Sequence, residues 1–380
     1  MRLEFSIPFD PGCETNFEVI PAAPAVFALF PAAAAPPYLS HSKNLRRRLG
    51  RLLGCEPAAT RRLNLRAITT RVEFQLAGSN FEAQWLLFLL NRFHYPRQFR
   101  KRLRLKPPAL LKINLANRFP RCYPTQRLVR DGSLYYGPFP SRAAAERFAA
   151  GFLDFFKIRR CLPDLAPDPS HPGCVYSQMR MCLAPCYQGC TDEEYRQEVS
   201  RVAEFLSSAG ATLVRQLEAE RCAASENLEF ERAGRAHARL EKVQDVLRLR
   251  APLAREISNL DAIVVLPGAK ENRAVFFTFS GGELAGPATL ALEENVPQPL
   301  PLDQRLQSLL APLLGSGGAA SPDHAGERAL PWEPLSLLAR WYYSSFREGD
   351  LLMLSPGQPI PYRRLVRLCR KVTADPRRIQ

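Results

Sequence analysis

The chain has 380 residues, 46% of them apolar and 9% aromatic, enough to bury two or three cores and too many for one small domain. No apolar run is long enough to cross a bilayer, the longest being Trp85–Leu90, and Met1–Phe5 lack the pattern of a secretory signal, so cytoplasm is the expected compartment. The net charge of +15 lies in the first part, where residues 1–160 hold 27 Lys and Arg against 10 Asp and Glu, while residues 161–380 hold 25 against 27. Cations that neutralise phosphates gain affinity by releasing condensed counterions, so this part is expected to meet a polyanion. A solubilising surface is the alternative; the clusters Arg46-Arg47-Arg48 with Arg51, and Arg97 to Lys106, point to nucleic acid.

Residues 1–105 read as a small α/β unit in which β-like stretches (Ala25–Phe30, Ile68–Phe74) alternate with helical ones (Lys43–Leu53, Glu82–His94). Residues 106–160 add strand-like stretches at Leu110–Ile113 and Tyr135–Phe139. A helix follows from Ser141, a fitting N-cap with Ala144 where a capping box has Glu, to Phe156. Residues 161–190, which close the 106–190 linker region, are rich in Cys and Pro with little periodicity, as suits a loop folded round a bound centre. From Thr191 the pattern is helical for about sixty residues, broken at Ser207–Gly210 and near Pro252, and predicts a long hairpin over 191–252. In residues 253–380, Ala262–Leu266 and Ala274–Phe279 flank a Gly281-Gly282 turn and open another α/β unit, and residues 297–334, rich in Pro, Gly and Ala, read as loop or linker. The predicted class is α/β multi-domain: a small α/β domain, a Cys-rich metal or cluster segment, a helical hairpin and a partial α/β C-terminal unit.

Five of the ten cysteines fall between residues 161 and 190. A reducing cytoplasm argues against a disulfide framework, which leaves metal or cluster ligation as the reason to gather thiolates. Cys161, Cys174, Cys182 and Cys186 are spaced C-x12-C-x7-C-x3-C, with Cys190 four residues on. Four thiolates fit either a tetrahedral zinc site or a [4Fe-4S] cluster, and the unequal spacing leans toward the cluster.

At this point a resemblance becomes specific. Phe156-Lys157-Ile158-Arg159-Arg160-Cys161, Pro172-Gly173-Cys174-Val175-Tyr176-Ser177-Gln178 and Cys182-Leu183-Ala184-Pro185-Cys186 resemble the segment between the nuclease and partner-binding regions of the UvrC family of excinucleases. Tyr135-Tyr136-Gly137-Pro138-Phe139-Pro140-Ser141 is similar to another of its signatures. The resemblance implies a structural [4Fe-4S] cluster on Cys161, Cys174, Cys182 and Cys186, with Cys190 spare. Ala223 to Ala233 resemble the family's UVR motif, which grips UvrB, and imply partner-binding roles for Leu228, Glu229, Phe230, Glu231 and Ala233. Ala223, Leu228, Phe230, Ala233 and Leu240 supply an apolar seam for antiparallel helices, with Glu226, Glu229, Glu231, Arg232 and Arg235 outside. His237-Ala238 stands where the family tends to have Arg-Asp, which bears on the choice of partner.

The order of motifs makes residues 24–99 comparable with a GIY-YIG nuclease, a fold that cuts a phosphodiester with one metal-binding glutamate, positioning tyrosines and an arginine. Tyr38 and Arg48 keep catalytic identities by that comparison. Phe27 replaces a tyrosine, Ser40 a glycine, His41 a lysine and Leu52 another tyrosine; Leu87 falls at the metal-binding glutamate and Phe99 at an asparagine. A leucine has no lone pair for magnesium, and losing the sole anionic ligand should cost several kcal/mol of transition-state stabilisation, at ~1.4 kcal/mol per decade of rate. Mg2+ binding is therefore not expected, and Glu82, five residues before Leu87, lies on another helix face. Lys43, Arg46, Arg47, Arg51, Arg97, Arg100 and Lys101 are the expected DNA contacts.

Asn259–Leu266 with the following hairpin, and Ala339–Tyr343, resemble parts of the family's ribonuclease-H-like domain, and Asp261 reads as structural. The resemblance implies a DNA-binding subunit of nucleotide excision repair, with a UvrB-like partner and no GIY-YIG incision. The alternatives are an active structure-specific endonuclease using a non-standard metal ligand, and a protein-interaction module with no DNA role.

Overall fold

The computed structural model describes residues 2–12, 16–32, 35–54, 63–162, 165–293, 300–315, 331–355 and 357–374, with eleven α-helices and three four-stranded sheets among them, every strand pair antiparallel. The first sheet is built from β1 (Phe5–Pro8), β2 (Ala25–Pro31), β3 (Tyr38–Ser42) and β4 (Thr69–Leu76) in the order β1-β4-β2-β3. Successive side chains of a strand point to opposite faces, and both faces here are covered. Phe27, Leu29, Val72 and Phe74 pack on helix α1 (Leu45–Leu53), whose leucines at 45, 49, 52 and 53 recur at the spacing of one helical face. Asn44 caps α1 by accepting a hydrogen bond from the Arg47 amide.

Val26, Ala28 and Leu39, on the other face, pack on helix α2 (Asn80–His94) through Ala83, Leu86, Leu87 and Leu90. Ser79 caps α2, accepting from the Glu82 amide at 3.2 Å, and the Glu82 carboxylate accepts from the Gly78 amide at 2.8 Å. After the short helix α3 (Phe99–Arg102), a second sheet forms from β5 (Ala109–Ile113), β6 (Cys122–Thr125) and β7 (Leu134–Phe139). Helix α4 (Arg142–Leu153) starts at Ser141, whose side chain accepts from the Ala144 amide at 3.1 Å, as the sequence predicts.

Helix α5 (Val175–Gln178) lies in the Cys-rich segment, and α6 (Asp192–Ser207), α7 (Ala211–Glu226) and α8 (Phe230–Arg248) follow it. The chain then returns as β8 (Arg255–Glu256) to the free side of β7, completing the order β6-β5-β7-β8. Tyr136, Phe148, Phe152, Tyr195 and Phe205 are fully buried between this sheet and its helices. The helical run contains a break that its periodicity does not show. At Asn227–Glu229 the chain turns back, with Leu228 at φ +60° and the Glu229 amide donating to the Ala224 carbonyl at 2.8 Å. This is a helix C-terminal turn with leucine where glycine is usual, and because Leu228 and Phe230 continue the apolar pattern, the sequence reads through it. Both sit at the tip, 70% and 71% exposed, so neither belongs to the seam expected of them; Ala224, Ala236, Leu240 and Val243 form it instead.

The third sheet, β9 (Ala262–Pro267), β10 (Arg273–Ser280), β11 (Glu283–Ala291) and, after two helices, β12 (Asp350–Met353), runs in the order β11-β10-β9-β12. Helices α9 (Leu302–Gly315) and α11 (Tyr362–Ala374) cover one face through Leu306, Leu310, Leu365 and Cys369. Helix α10 (Glu333–Tyr342) and α2 cover the other. The expected loop over 297–334 is thus corrected: α9 occupies much of it and α10 begins within it, an apolar period hidden in the composition by Pro, Gly and Ala. Residues 297–299 and 316–330 of that stretch lie outside the described residues.

Phe81, Trp85 and Phe88 of α2 share one core with Phe277 and Trp341, Trp85 Nε1 donates to the Gly286 carbonyl at 3.2 Å, and Arg100 pairs with the buried Glu333 at 2.5 Å. Phe277 is fully buried and meets the Phe81 ring edge-on at 5.2 Å. Phe277→Ala is expected to cost about 3–5 kcal/mol in urea unfolding and to lower the midpoint reported by probes on both sides of this core; a shift confined to the third sheet would disprove the coupling.

Candidate nucleic-acid interface and cysteine site

The helical spacing of α1 places Arg47 and Arg51 one turn apart and outward, with Lys43 just before the helix, all three exposed and with no side-chain partner among the described residues. Arg97 and Lys101 are also exposed and unpaired among the described residues. Two of the expected DNA contacts have internal partners. Arg46 donates to the carbonyls of Ile20 and Glu18, at 2.7 and 2.9 Å, and Arg100 holds Glu333.

Tyr38 and Arg48 are brought together, Arg48 Nη2 donating to the Tyr38 hydroxyl at 3.4 Å, with the Phe27 ring 6.3 Å from that of Tyr38. Leu87 is not brought to them: it packs with Leu39 and Val26 on the α2 face, while Phe27 and Tyr38 lie on the α1 face. Leu52 is buried in the α1 core, Phe99 packs its ring 5.8 Å from Phe88, and His41 is exposed. Leu52, Leu87 and Phe99 each lie in apolar surroundings. Beside Tyr38 opens a cavity of about 180 Å3 whose lining includes Tyr95 and Arg102 and, among the described residues, no carboxylate. Glu82, the nearest carboxylate in sequence to Leu87 on this helix, is committed to the start of α2, and burial pushes its pKa up to about 7.

Cys161, Cys174, Cys182 and Cys186 line one cleft together with Arg159 and Tyr176, and Cys190 is not in the lining. The loop winds round this cleft through left-handed residues at Gly173, Arg180, Ala184 and Gln188. It is fastened to the segment that follows α4, and that segment to α6. Leu183 donates to the Lys157 carbonyl at 2.9 Å, the Arg159 amide to the Tyr195 hydroxyl at 2.8 Å, and the Lys157 amide to Glu198 at 2.6 Å. The buried Arg159 guanidinium lies 3.6 Å from the Cys161 sulfur, and the Ala184 amide 3.3 Å from that of Cys182. Burial, and the neighbouring thiols of Cys161, Cys174 and Cys186, push the Cys182 thiol up to about 11, so the thiols resist ionising together without a cation among them. Among the described residues no three His, Cys, Asp or Glu side chains stand close enough to hold a metal ion.

At the hairpin tip, Glu229 pairs with Arg232 at 3.1 Å and flanks the exposed Leu228 and Phe230; Glu231 is exposed and Ala233 half-buried. Two groups escape the sequence reading. One is the outer face of α11, where Arg363, Arg364, Arg367, Arg370 and Lys371 are exposed with no acidic residue in the helix; averaging charge over 161–380 conceals it, and a helical-window count would find it. The other is the Tyr95–Arg102 pair, which only the fold brings to Tyr38.

The family model of the UvrC/Cho excinuclease middle domain matches residues 109–205. UvrABC system protein C of Carboxydothermus hydrogenoformans is 32% identical over 176 residues, 46% of this chain and 28% of that protein. The proteins of the same description from Trichlorobacter lovleyi and Saccharopolyspora erythraea are 29% and 30% identical over 274 residues each, covering 71% and 70% of this chain and 44% and 38% of theirs. The chain therefore spans roughly a quarter to a half of the length of the curated relatives it matches. No solved structure matches it.

A carboxyl whose folded pKa is raised stabilises the fold fully only below its unfolded value, and stability falls as pH rises from about 4.5 through about 7. Glu82→Gln keeps an acceptor for Gly78 and removes the buried charge. It is expected to abolish that slope and to leave the variant about 2 kcal/mol more stable than the parent at pH 8, read from urea unfolding at pH 5 and pH 8; parallel pH curves would refute it.

Proposed function

Because this chain belongs to the UvrC family, we propose that it is a DNA-binding subunit of nucleotide excision repair whose GIY-YIG-like unit, residues 1–105, holds DNA without cutting it. The observation that carries the reading is the burial of Phe27, Leu52 and Leu87 in apolar cores, on two different faces of the sheet, while the cavity beside Tyr38 offers no carboxylate among its described lining. Metal-assisted hydrolysis needs an anionic ligand to place the cation at the phosphate. Tyr38 and Arg48 keep what a binding surface needs, a hydroxyl and a guanidinium for a phosphate oxygen, and Lys43, Arg47, Arg51, Arg97 and Lys101 supply sequence-independent attraction.

Residues 161–190 are assigned a [4Fe-4S] cluster on Cys161, Cys174, Cys182 and Cys186. The donor set is all thiol, which suits soft metals. The four cysteines line one cleft, and their unequal spacing along the chain leans toward a cluster over zinc. Bound there, the cluster would join the end of α4 to the loop before α6, a structural cross-link. The exposed Leu228 and Phe230, with Glu229, Glu231 and Ala233, are assigned to a UvrB-like partner: an apolar pair standing in water at a hairpin tip is a ready anchor for a second helical hairpin. Residues 253–380 are read as part of a ribonuclease-H-like unit, in which Asp261 accepts through its backbone carbonyl from the Leu354 amide at 2.9 Å and is structural.

With Mg2+ and damaged duplex, the whole chain is expected to bind with an affinity that falls steeply with salt and to leave the DNA intact; incision lost in Arg48→Ala would overturn the pseudo-nuclease reading, and salt-indifferent binding the DNA role. Anaerobically purified chain is expected to carry about four irons and a broad visible absorption band, both lost in Cys182→Ala. Stoichiometric zinc without iron would refute the cluster.

A further inference from the structure

We propose that the cavity beside Tyr38 is a pocket for one unpaired nucleobase of DNA, a reading that rests on the DNA-binding role given to residues 1–105. Its size sets the class of ligand. An apolar cavity of about 150 Å3 takes up benzene, whereas sites that enclose a drug-sized molecule begin near roughly 300 Å3, so about 180 Å3 matches one ring system. A base pair is too large to enter, and the duplex must present a base that is already out of the stack.

The walls are those of a stacking site. Leu29, Leu65 and Ile68 contribute aliphatic surface, and Tyr95 contributes a ring with the Arg102 guanidinium 3.7 Å from its centroid. Bases stack on aromatic and guanidinium planes irrespective of sequence. Both groups are held before any ligand arrives: the Tyr95 hydroxyl donates to the Pro37 carbonyl at 2.7 Å, and Arg102 Nε donates to Asn91 Oδ1 at 2.9 Å. Asn91 is buried and is itself fixed, its Nδ2 donating to the Leu87 carbonyl at 2.8 Å. Side chains fixed in advance lose little entropy on binding.

The charge of the rim selects a nucleotide over a neutral apolar ligand. The terminal nitrogens of Arg102, in the lining, have no partner among the described residues, and Arg48 donates to the Tyr38 hydroxyl of the same lining, so a phosphate flanking the inserted base meets cationic donors near the cavity. Free phosphate alone would leave the aliphatic walls unused.

The test uses the whole chain and two duplexes that differ only in one unpaired 2-aminopurine, followed by anisotropy and by the fluorescence of that base. The parent is expected to bind the bulged duplex about tenfold more tightly than the paired one and to quench the base. Ile68→Trp, which fills the cavity from an exposed position, and Arg102→Ala are each expected to bring the ratio of the two affinities below about twofold and to restore the fluorescence. Equal affinities in the parent would overturn the pocket while leaving the DNA role intact; binding of neither duplex would overturn both. A tenfold ratio kept in a folded Ile68→Trp would place the base elsewhere and overturn the pocket as well.

Discussion

Helix α2 is apolar around nearly its whole circumference, and the arrangement of everything on either side of it depends on that. Ala83, Leu86, Leu87 and Leu90 complete the core under the first sheet, while Phe81, Trp85 and Phe88 complete the core under the third. A helix between two sheets has no solvent face to spare for a charged side chain near its middle, and an ionised carboxylate in such a layer needs compensation that hydrocarbon does not give. The apolar character of Leu87 and the covering of α2 by residues 253–380 are thus two aspects of one constraint. Glu82, at the helix start, is tolerated because the Gly78 amide donates to its carboxylate.

The same logic separates the two chemistries of the chain. In the first unit, Phe27, Leu52 and Leu87 lie in cores while Lys43, Arg47 and Arg51 remain in water. In the Cys-rich loop the reverse holds: little regular structure, several left-handed residues, and four cysteines lining a shared cleft. The Leu183 amide ties such a loop to the Lys157 carbonyl, and Tyr195 and Glu198 tie that segment to α6.

Much of this was legible in the sequence, for identifiable reasons. The α1 leucines, the Ser141 cap and the stretches that became β2, β4, β5 and β7 are local signals, and local signals survive tertiary folding. The four-cysteine set came from spacing joined to a resemblance, and the fold gathers those four and leaves Cys190 out. The misses share a cause. Leu228 and Phe230 fit a helical period, yet one sits in the turn and the other opens α8 at the exposed tip, because an apolar pattern says what is buried only when something is there to bury it. Helix α9 was masked by its flanking composition, and the stack of Arg102 on Tyr95 joins a helix end to the helix that follows it in a geometry no linear pattern encodes. The basic face of α11 was present in the sequence and lost only by averaging.

The hairpin of α7 and α8 is a cantilever. Near its root α8 is clamped: Val246 presses on Gly151, where even a methyl group would come within 2.9 Å of it, and Leu247 closes on Gly210. Toward the tip, α8 packs on α7, and its 19 residues reach about 28 Å at the usual rise. A load hung on the tip therefore arrives at the root as torque, and the root continues into β8, which is sewn to β7 at only two positions, Tyr136–Glu256 and Gly137–Arg255. The seam where mechanical work done at the far end would first be felt is thus the outermost stitch of the middle sheet.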